Sequence, residues 1–455
     1  MTKFIKSLFR TNLSQDIFCE IEHKEREFHK MNLEGAMDKL QIFGGEKLFG
    51  SVEIPSSKNA FLPILAATIL CEGKVVLHKN PRFVDIYNMC GVLEDLGSKI
   101  SFCGDDVIID NTNLTSFEIS PQKASTVRSS IFSLGAILGR FRKAKVAYPG
   151  GCEIGARPID IHLRGLMSLS VSVHDSHGFL FCEAGDLRGA DIHLDFPSVG
   201  ATENIMMASV LAEGETHIYN SAKEPEIVDL QNFLNGLGAK IRGAGTDHIE
   251  IVGVKKLKTE IEYTPIPDRI IAGTYALMGA SCGGEIELKN VKRESISPVL
   301  SKIQNSNCKI AYESDKIYLS SNGKLSAVQK IETAPFPGFP TDMQAQMLAT
   351  LATAKGTSII VENLFENRFK HIPELVKMGA KITVKDNIAV VVGVESLSGA
   401  SVTTCDLRGG AALCLAGLKA EGYTTIDNVH LIDRGYFKIE DDLTRLGAKI
   451  KRIKN

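Results

Sequence analysis

The sequence predicts an α/β fold of six repeated units, and three observations support this prediction. The motif Leu-x-x-Leu-Gly-Ala-Lys-Ile, or a degraded copy, has its glycine-equivalent residue at positions 97, 170, 238, 307, 379 and 447, in steps of 73, 68, 69, 72 and 68 residues. An almost uncharged stretch rich in Ala, Leu, Met and Gly precedes each copy, and β-branched stretches often follow it. Self-similarity at a fixed period indicates a repeat architecture. Six such units predict two pseudo-symmetric domains of three units each, with mixed sheets and a cleft between the domains.

Each unit is predicted to contain the same elements in the same order. Its first helix is apolar on all sides, and such a helix is buried. A strand follows, and then a surface helix that ends at the motif, where glycine suits the left-handed conformation at a helix C-terminus. Two further strands complete the unit. The predicted buried helices are Ala60–Leu70, Ser129–Leu138, Ala201–Leu211, Ile271–Ala280, Met343–Ala354 and Gly409–Leu418.

The composition excludes several classes of protein. The formal net charge is −2 over 455 residues, so a nucleic-acid groove is not expected and an anion site must be a local cluster of cations. Ten cysteines without Cys-x-x-Cys pairs indicate neither a zinc site nor a disulfide framework, and they fit a reducing cytoplasm. No apolar stretch reaches the roughly 18 residues of a membrane span. Neither a P-loop nor a Gly-x-Gly-x-x-Gly motif occurs, so we expect no nucleotide cofactor. No Asp-x-Asp pair occurs that could hold a metal on a diphosphate, so we expect no metal.

Residues 1–36 differ from the rest of the chain. Met1–Arg10 is basic and weakly amphipathic, Glu20–Lys30 is dense in charge, and no apolar core of a signal peptide is present. We therefore expect either a disordered extension or a translation start at Met37. The first domain-like sequence begins at Lys39.

The predicted buried helices share an unusual feature at their N-termini. Four of them begin at a cation, namely Lys58, Arg128, Arg269 and Arg408. A cation at this end opposes the helix dipole, but it is favourable where the cation and the helix end bind the same anion. The alternative is that these cations form ion pairs at the domain interface, with Glu224 and Glu226 as candidate partners. The set of four favours a cleft that binds a small, highly anionic substrate.

A glycine-rich segment, Pro149–Pro158, carries a reactive group. It reads Pro-Gly-Gly-Cys-Glu-Ile-Gly-Ala-Arg-Pro, and its glycines and prolines predict an exposed loop. Cys152 precedes Arg157 by five residues, and a thiol near a guanidinium has a lowered pKa. The alternative is a surface turn that happens to contain a cysteine. The functional interpretation is a loop that carries a proton donor or a nucleophile.

This loop and several other motifs resemble those of the UDP-N-acetylglucosamine enolpyruvyl transferases. The resemblance runs from about Lys39 to the C-terminus. It implies two inside-out α/β-prism domains of three repeats each, with domain I at residues 59–266 and domain II formed by residues 37–58 together with 267–455. The other motifs are Ser57-Lys-Asn-Ala, Pro197-Ser-Val-Gly-Ala-Thr, Glu224-Pro-Glu-Ile-Val-Asp, Phe339-Pro-Thr-Asp-Met-Gln-Ala-Gln, Phe365-Glu-Asn-Arg-Phe and Ile432-Asp-Arg-Gly-Tyr.

The resemblance implies a reaction. The enolpyruvyl group of phosphoenolpyruvate would move to the 3′-hydroxyl of UDP-N-acetylglucosamine with release of phosphate, as the first committed step of peptidoglycan precursor synthesis in the cytoplasm. Cys152 is implied as the proton donor, as the site of a covalent phosphoenolpyruvate adduct and as the target of the epoxide fosfomycin. Asp342 is the expected base, and Lys58 and Arg434 complete the catalytic set. The residues implied to bind phosphoenolpyruvate are Lys58, Asn59, Arg157, Arg408 and Arg434.

The resemblance also implies a binding site for the nucleotide sugar. Phe196 departs from the family, whose other members have lysine there, and stacking of its ring on the base is the alternative to a polar contact. His162 is expected to be a structural partner of the glycine-rich loop. The implied residues are Asn59, Arg128, Arg157, Pro158, Ile159, Asp160, Ile161, Phe196, Pro197, Ser198, Val199, Asp342 and Leu364.

Two alternatives to this assignment exist. The first is the sister enzyme 5-enolpyruvylshikimate-3-phosphate synthase, which shares the fold and the donor. The pair Lys58 and Asn59, where the sister has Lys-Ser, and the cysteine loop both argue against it. The second is a non-catalytic regulator that binds UDP-sugars. The presence of Cys152, Lys58 and Arg434 argues against that alternative.

Overall fold

The computed structural model describes residues 38–126, 128–147 and 159–454. The described strands form six sheets of four strands each. They are β1 (Lys39–Phe43), β2 (Leu48–Glu53), β3 (Lys74–Leu77), β4 (Lys99–Cys103), β5 (Asp106–Asp110), β6 (Glu118–Ile119), β7 (Lys143–Ala147), β8 (Ser172–Ser176), β9 (Phe179–Glu183), β10 (Asp191–His193), β11 (Glu215–Tyr219), β12 (Lys240–Arg242), β13 (His248–Val252), β14 (Glu260–Tyr263), β15 (Gly284–Lys289), β16 (Lys309–Glu313), β17 (Lys316–Ser321), β18 (Lys330–Glu332), β19 (Thr357–Val361), β20 (Lys381–Lys385), β21 (Ile388–Val392), β22 (Ser401–Thr403), β23 (Tyr423–Asp427) and β24 (Lys449–Ile453).

The helices alternate along the chain between buried and surface positions. The α-helices are α1 (Lys58–Ala67), α2 (Val84–Asp95), α3 (Pro121–Thr126), α4 (Ser133–Phe141), α5 (Asp160–Ser168), α6 (Val199–Ser209), α7 (Pro225–Gly236), α8 (Arg269–Cys282), α9 (Arg293–Gln304), α10 (Gln344–Leu351), α11 (Ile372–Lys377), α12 (Leu407–Lys419), α13 (His430–Asp433) and α14 (Ile439–Arg445). Short 3₁₀ turns adjoin α1, α4 and α10 at Thr68–Leu70, Arg128–Phe132 and Thr341–Met343.

The six predicted buried helices are confirmed as α1, α4, α6, α8, α10 and α12. Every residue of α8 is buried, because this helix packs against both α10 and α12 while its other side meets β15 and β17. In the other half, α4 packs against both α1 and α6. Gly135 permits the close approach of α4 to α6, since a Cβ at this position would lie 2.1 Å from the backbone oxygen of Asn204. The helices therefore form the centre of each half and the sheets its outside.

The repeated motif ends a surface helix in every unit, as predicted. The six glycine-equivalent positions all have positive φ, between 69° and 108°. Glycine adopts this conformation without strain. Ser170 and Asn307 adopt it as well, which shows that the degraded copies of the motif keep the backbone geometry of the intact ones.

The sheets are mixed, but each contains one strand that the sequence prediction missed. An edge strand of two to six residues pairs in parallel with the strand that follows a buried helix, as in the pairing of β10 with β11, and the other two strands are antiparallel. The missed edge strands include β6 and β10, which are only two and three residues long. Alternation of apolar and polar residues cannot be recognised over so short a stretch.

The chain passes between the two halves twice, and the two crossings lie side by side. Strand β2 pairs with β15 of the later half, whereas β14 pairs with β3 of the earlier half. Ser57 donates its backbone N–H to Ile266 O (2.7 Å), and Asp268 donates to Pro55 O (2.8 Å). Strand β1 completes the last sheet between β23 and β24. This pairing supports the predicted domain boundaries, which remain a prediction.

No helix within residues 38–126, 128–147 and 159–454 is both long and apolar enough to cross a bilayer.

Candidate active site

A carboxylate and two cations join the two halves at the start of α1. Lys58 is the first residue of α1, and its Nζ lies 3.1 Å from Oδ2 of Asp85 in the first turn of α2. Arg434, which follows α13, donates from Nε to Oδ1 of the same carboxylate (3.1 Å) and from Nη2 to Oδ2 (3.3 Å). We call Lys58, Asp85 and Arg434 the bridging cluster. Arg434 has the most exposed side chain of the three, whereas those of Lys58 and Asp85 are nearly buried.

A second carboxylate and two further cations lie within the later half. Asp342 sits in the 3₁₀ turn before α10, where Oδ1 accepts from Nη2 of Arg368 (2.7 Å) and Oδ2 accepts from Nη2 of Arg408 (2.8 Å). Arg408 belongs to the first turn of α12, whose N-cap Asp406 accepts hydrogen bonds from the N–H groups of Arg408 and Gly409. We call Arg368, Asp342 and Arg408 the inner cluster.

Asp268 connects the starts of two buried helices from different halves. Its Oδ1 accepts from the N–H groups of Ile270 (2.8 Å) and Ile271 (3.0 Å) at the start of α8, and its Oδ2 accepts from the N–H of Lys58 (3.1 Å). A carboxylate at a helix N-terminus satisfies otherwise unpaired donors and stabilises the helix dipole. Asp268 thereby fixes the position of Lys58 at the junction of the halves.

The charges of the two clusters shift the pKa values of their members. Burial lowers the pKa of Lys58; Asp85 opposes this, whereas the charges of Arg408 and Arg434 add to it. Burial alone would raise the pKa of Asp85 and of Asp342. For Asp85 the cations of the bridging cluster outweigh burial and hold the pKa below its usual value. For Asp342 the two guanidinium groups hold the pKa well below its usual value.

Arg269, the third of the predicted helix-start cations, is held by a partner. Its Nε lies 2.9 Å from Oε1 of Glu226, and both side chains are buried. Arg269 therefore fits the alternative of an ion pair at the interface, with Glu226 as its partner. Glu224 accepts the N–H of Phe336 (3.3 Å). Glu203 lies 1% exposed on α6, and its Oε2 has no hydrogen-bond partner in the described part of the chain.

The predicted residues for the nucleotide sugar lie on several elements. Asn59 is half-buried in the first turn of α1, and Leu364 is half-buried after β19, with its N–H donated to Oε1 of Glu362 (2.9 Å). Ile159 and Ile161 are half-buried at the start of α5. Asp160 is exposed and pairs with Arg164 (2.8 Å).

A second group of these residues leads into α6. Phe196 is 44% exposed, so its ring is accessible to a planar ligand. Pro197, Ser198 and Val199 are half-buried, and Ser198 caps α6 by accepting the N–H of Ala201 at 3.3 Å. His162, predicted as a structural residue, is buried on α5, and its Nδ1 lies 2.9 Å from Nδ2 of Asn204.

Several predicted site residues cannot be compared with the structure. Cys152, Arg157 and Pro158 lie outside the described residues, as does the rest of the glycine-rich segment. Arg128 begins a 3₁₀ turn before α4, and its side chain is not described. The roles predicted for these four residues rest on the sequence.

Three charged residues of the site were missed. Asp85 gave no signal, because a carboxylate in the first turn of a helix is common on dipole grounds alone. Asp268 directly precedes Arg269, and an aspartate before an apolar helix is a recognisable N-cap signal. Arg368 lies within the motif Phe365-Glu-Asn-Arg-Phe, so the motif itself could have identified it.

Known proteins resemble this chain over most of its length. A family model described as EPSP synthase (3-phosphoshikimate 1-carboxyvinyltransferase) matches residues 42–443. UDP-N-acetylglucosamine 1-carboxyvinyltransferase 2 of Caldanaerobacter subterraneus subsp. tengcongensis is 50% identical over 92% of this chain and 100% of its own length. The protein of that name from Carboxydothermus hydrogenoformans is 48% identical over 92% of this chain and 100% of its own length. UDP-N-acetylglucosamine 1-carboxyvinyltransferase of Geobacter metallireducens is 45% identical over the same shares.

Solved structures share the fold at lower identity. The enolpyruvyl transferase NikO from Streptomyces tendae superposes with a TM-score of 0.82 at 22% identity, covering 92% of this chain and 100% of its own. An EPSP synthase from Acinetobacter baumannii superposes with a TM-score of 0.69 at 17% identity, covering 91% and 100%. These matches agree with the predicted inside-out α/β architecture.

Proposed function

This chain belongs to the EPSP synthase family and, within it, to the UDP-N-acetylglucosamine 1-carboxyvinyltransferases, and on that premise we propose that it transfers the enolpyruvyl group of phosphoenolpyruvate to the 3′-hydroxyl of UDP-N-acetylglucosamine. Phosphate is the second product, and the enolpyruvyl sugar feeds peptidoglycan precursor synthesis. The sister activity on shikimate 3-phosphate is disfavoured, because full-length relatives at 45–50% identity carry the UDP-sugar name.

The observation that carries the proposal is the convergence of cations from both halves around the start of α1, where the charges of Arg408 and Arg434 act on Lys58. Lys58 comes from α1, and Arg408 and Arg434 come from the later half. Phosphoenolpyruvate carries a phosphate and a carboxylate, so it requires several fixed positive charges. Guanidinium forks match both groups in a bidentate manner, whereas lysine acts as a point charge. We assign Lys58, Asn59, Arg408 and Arg434 to this substrate, together with Arg157 on sequence grounds.

The first step is an addition across the double bond of phosphoenolpyruvate. The 3′-oxygen of the sugar forms a bond to C2 and loses its proton, while C3 gains a proton and becomes a methyl group. Carbon is a poor proton acceptor, so a positioned acid is needed, and such assistance contributes roughly 10²–10⁴-fold. We assign Cys152 as this acid and as the residue that can bind phosphoenolpyruvate covalently.

The second step is an elimination. The bond between C2 and the phosphate oxygen breaks, C3 returns a proton, and the vinyl ether and phosphate leave. The departing phosphate is stabilised by the cations that bound it in the substrate. Fixed charges that need no reorganisation are a major source of catalysis in a site shielded from water.

Asp342 is assigned to the sugar hydroxyl, and its ion pairs define how it can act. With Arg368 and Arg408 both bound, its lowered pKa makes it a weak base. Phosphoenolpyruvate competes with Asp342 for Arg408. When Asp342 gives up the fixed Arg408 to the substrate, one of the interactions that lower its pKa is weakened, and Asp342 becomes more basic. We therefore propose that binding of the donor activates the base.

The nucleotide sugar is assigned to the residues around the start of α5, the start of α6 and Leu364. Ile159, Asp160 and Ile161 lie on the first of these elements, and Arg128, Arg157 and Pro158 join them on sequence grounds. Phe196 to Val199 lie on the second, where the exposed ring of Phe196 offers a stacking surface for uracil. The reaction is assigned to the cytoplasm, because the cysteines within the described residues are all free thiols, which fits a reducing compartment.

The test is release of phosphate by the purified full chain. We expect phosphate only when phosphoenolpyruvate and UDP-N-acetylglucosamine are both present, with an enolpyruvyl adduct of the sugar identified by mass spectrometry. Release that requires shikimate 3-phosphate would assign the chain to the sister activity. If neither acceptor supports release while UDP-N-acetylglucosamine still binds, the chain is a non-catalytic binding protein.

A further inference from the structure

One sheet of the earlier half carries a cluster of imidazole and carboxylate groups on its outer face. In the sheet β10-β11-β13-β12, the inward residues of β11 and β13 are buried, whereas His217 on β11 and His248 and Glu250 on β13 are half-exposed. His217 and Glu250 are direct register partners across the antiparallel pair. The strands therefore bring these three residues together on one solvent-facing surface, on the face opposite the buried helices.

The donor atoms are close enough to share one ion. One donor atom from each of His217, His248 and Glu250 lies within 4.8 Å of the other two. Nδ1 of His217 and Nε2 of His248 are 3.2 Å apart. A tetrahedral zinc ion with Zn–N bonds of about 2.0–2.1 Å holds two ligand nitrogens about 3.3–3.4 Å apart. The two imidazoles thus already stand at the separation that such an ion needs.

The surroundings of the two rings match those of metal-binding histidines. A carboxylate that is not one of the three lies beside His217, because its Nε2 is 3.8 Å from Oε2 of Glu215, longer than a hydrogen bond but on the side of the ring away from His248 Nε2. A carboxylate behind the distal nitrogen fixes the tautomer and makes the imidazole a better ligand. Tyr219 stacks on His248 with a centroid distance of 4.5 Å and an interplanar angle of 2°, which holds the plane of that ring.

We propose that this surface binds a divalent transition-metal ion of the Zn²⁺, Ni²⁺ and Cu²⁺ class, with His217 Nδ1, His248 Nε2 and the Glu250 carboxylate as ligands. Imidazole combined with carboxylate suits these ions, whereas Mg²⁺ prefers an all-oxygen site. The remaining coordination positions face solvent. The proposal is independent of the transferase activity, because none of its residues belongs to the bridging or the inner cluster.

One ion pair competes with the proposed metal. Arg242 on β12, with an 80% exposed side chain, donates from Nε to Oε2 of Glu250 at 2.5 Å. An ion that takes Glu250 must displace this guanidinium. Removing the arginine charge therefore strengthens metal binding by up to about fivefold, the factor that corresponds to the usual strength of an exposed ion pair.

The experiment titrates the full chain, first stripped with a chelator, with Ni²⁺ and with Zn²⁺ in a calorimeter. We expect one saturable ion per chain, loss of that binding in His217→Ala and in His248→Ala, and tighter binding in Arg242→Gln. His174→Ala is the matched control, because His174 is an exposed imidazole on β8, in a different sheet of the same half, and its removal should leave binding unchanged. Cu²⁺ added below one equivalent should give an electron paramagnetic resonance spectrum with coupling to imidazole nitrogen.

The outcomes separate this site from other metal-binding groups. An ion held by thiols would survive both histidine substitutions, and that result would overturn the proposal. So would the lack of any saturable Ni²⁺ or Zn²⁺ binding in the unaltered chain. Unfolding of each stripped variant by heat shows whether the substitution has disturbed the fold. If the Glu215 carboxylate orients His217, Glu215→Gln should still bind the ion, with roughly 10–100-fold lower affinity. Equal affinity would show that Glu215 does not orient His217.

Discussion

The bridging cluster and the inner cluster each contain one carboxylate and two cations, but the most exposed member is a cation in the first and the carboxylate in the second. In the bridging cluster the Arg434 side chain is 46% exposed, while Asp85 and Lys58 are 6% and 11% exposed. In the inner cluster the carboxylate of Asp342 is the accessible member at 26%, while Arg368 and Arg408 are 4% and 6% exposed. One cluster therefore presents a cation suited to an anion, and the other presents a carboxylate suited to a hydroxyl group.

The same combination of one carboxylate and two cations can therefore serve two chemical roles, depending on which member is exposed. A buried ion offsets its desolvation only through close partners, so the two buried members of each cluster are fixed in place. The more exposed member loses less free energy when it changes partner, because water replaces part of the ion pair that is broken. Arg434 and Asp342 are thus the members expected to exchange their ion pairs for substrate.

The largest expected effect comes from removing the accessible carboxylate. Asp342→Asn keeps the shape of the side chain but removes the acceptor for the proton of the sugar hydroxyl. We expect kcat to fall roughly 10²–10⁴-fold, while KM for phosphoenolpyruvate changes little. Steady-state kinetics of phosphate release measure both constants.

The control for this substitution is Asp427→Asn. Asp427 also pairs with a cation, since its Oδ1 lies 3.0 Å from Nζ of Lys39, but it lies on β23 outside both clusters. We expect its kcat to stay within twofold of the unaltered chain, about 0.4 kcal/mol. A kcat of Asp342→Asn equally close to the unaltered value would exclude Asp342 as the base and leave it as a ligand of the sugar.

The second effect concerns the carboxylate that is buried. Asp85→Asn leaves Lys58 buried without a counter-charge, and breaking a buried pair typically costs about 3–5 kcal/mol of stability. Denaturant unfolding at neutral pH measures the loss. Asp105→Asn is the matched control, because its partner Arg82 is exposed and an exposed pair contributes only about 0–1 kcal/mol. Equal losses in the two variants would show that the bridging cluster does not depend on Asp85.

The sequence predicted the positions that repeat and the charges that belong to known motifs. The buried helices were recognisable because apolar residues continue around every side of each helix, as in α8. Lys58, Arg408 and Asp342 were identified because they stand at helix starts or within motifs. The short parallel edge strands were missed because two or three residues, as in β6 and β10, carry no periodicity.

Contacts between distant residues were beyond sequence reasoning. Asp85 and Arg434 are 349 residues apart, and nothing local distinguishes Asp85 from an ordinary carboxylate in a first helical turn. The histidine cluster was missed for the same reason, since His217 and His248 are 31 residues apart and meet only through the register of β11 and β13. The sign of the charge that each cluster exposes likewise depends on packing, which the sequence does not encode locally.

The third effect is a dependence of stability on pH. The pKa values of Asp85 and Asp342 are lowered in the folded chain. Both carboxylates therefore contribute their full stability above the pKa of an unfolded aspartate, about 3.9, and this contribution is lost as the pH falls below that pKa toward the folded one. A tenfold difference in acidity between the folded and the unfolded chain corresponds to about 1.4 kcal/mol. The stability difference between the unaltered chain and Asp342→Asn should therefore be large at neutral pH and shrink below about pH 4.

Glu203 provides a control of opposite sign. Burial and the nearby Glu226 and Glu224 raise its pKa, so its folded form favours the neutral acid. The contribution of Glu203 to stability is present below its pKa in the unfolded chain, about 4.3, and is lost as the pH rises through its higher pKa in the folded chain. Glu203→Gln should gain stability relative to the unaltered chain as the pH rises, measured by unfolding between about pH 3 and pH 7. Parallel profiles for the Asp342 and Glu203 variants would contradict the assigned pKa directions.

The smallest expected effect separates the exposed cation from the buried ones. Arg434→Lys keeps the charge but removes the guanidinium fork, and stability should change by less than about 1 kcal/mol because the charge is kept and 46% of the side chain is exposed. KM for phosphoenolpyruvate should rise about fivefold, which corresponds to about 1 kcal/mol, because a point charge cannot bind a carboxylate or phosphate in a bidentate manner. Arg368→Lys is the matched change in the inner cluster. We expect KM for phosphoenolpyruvate to stay constant and kcat to fall, because the hydrogen bond that holds Asp342 is altered. If Arg368→Lys raised this KM while Arg434→Lys left it unchanged, the two clusters would have to exchange their assigned roles.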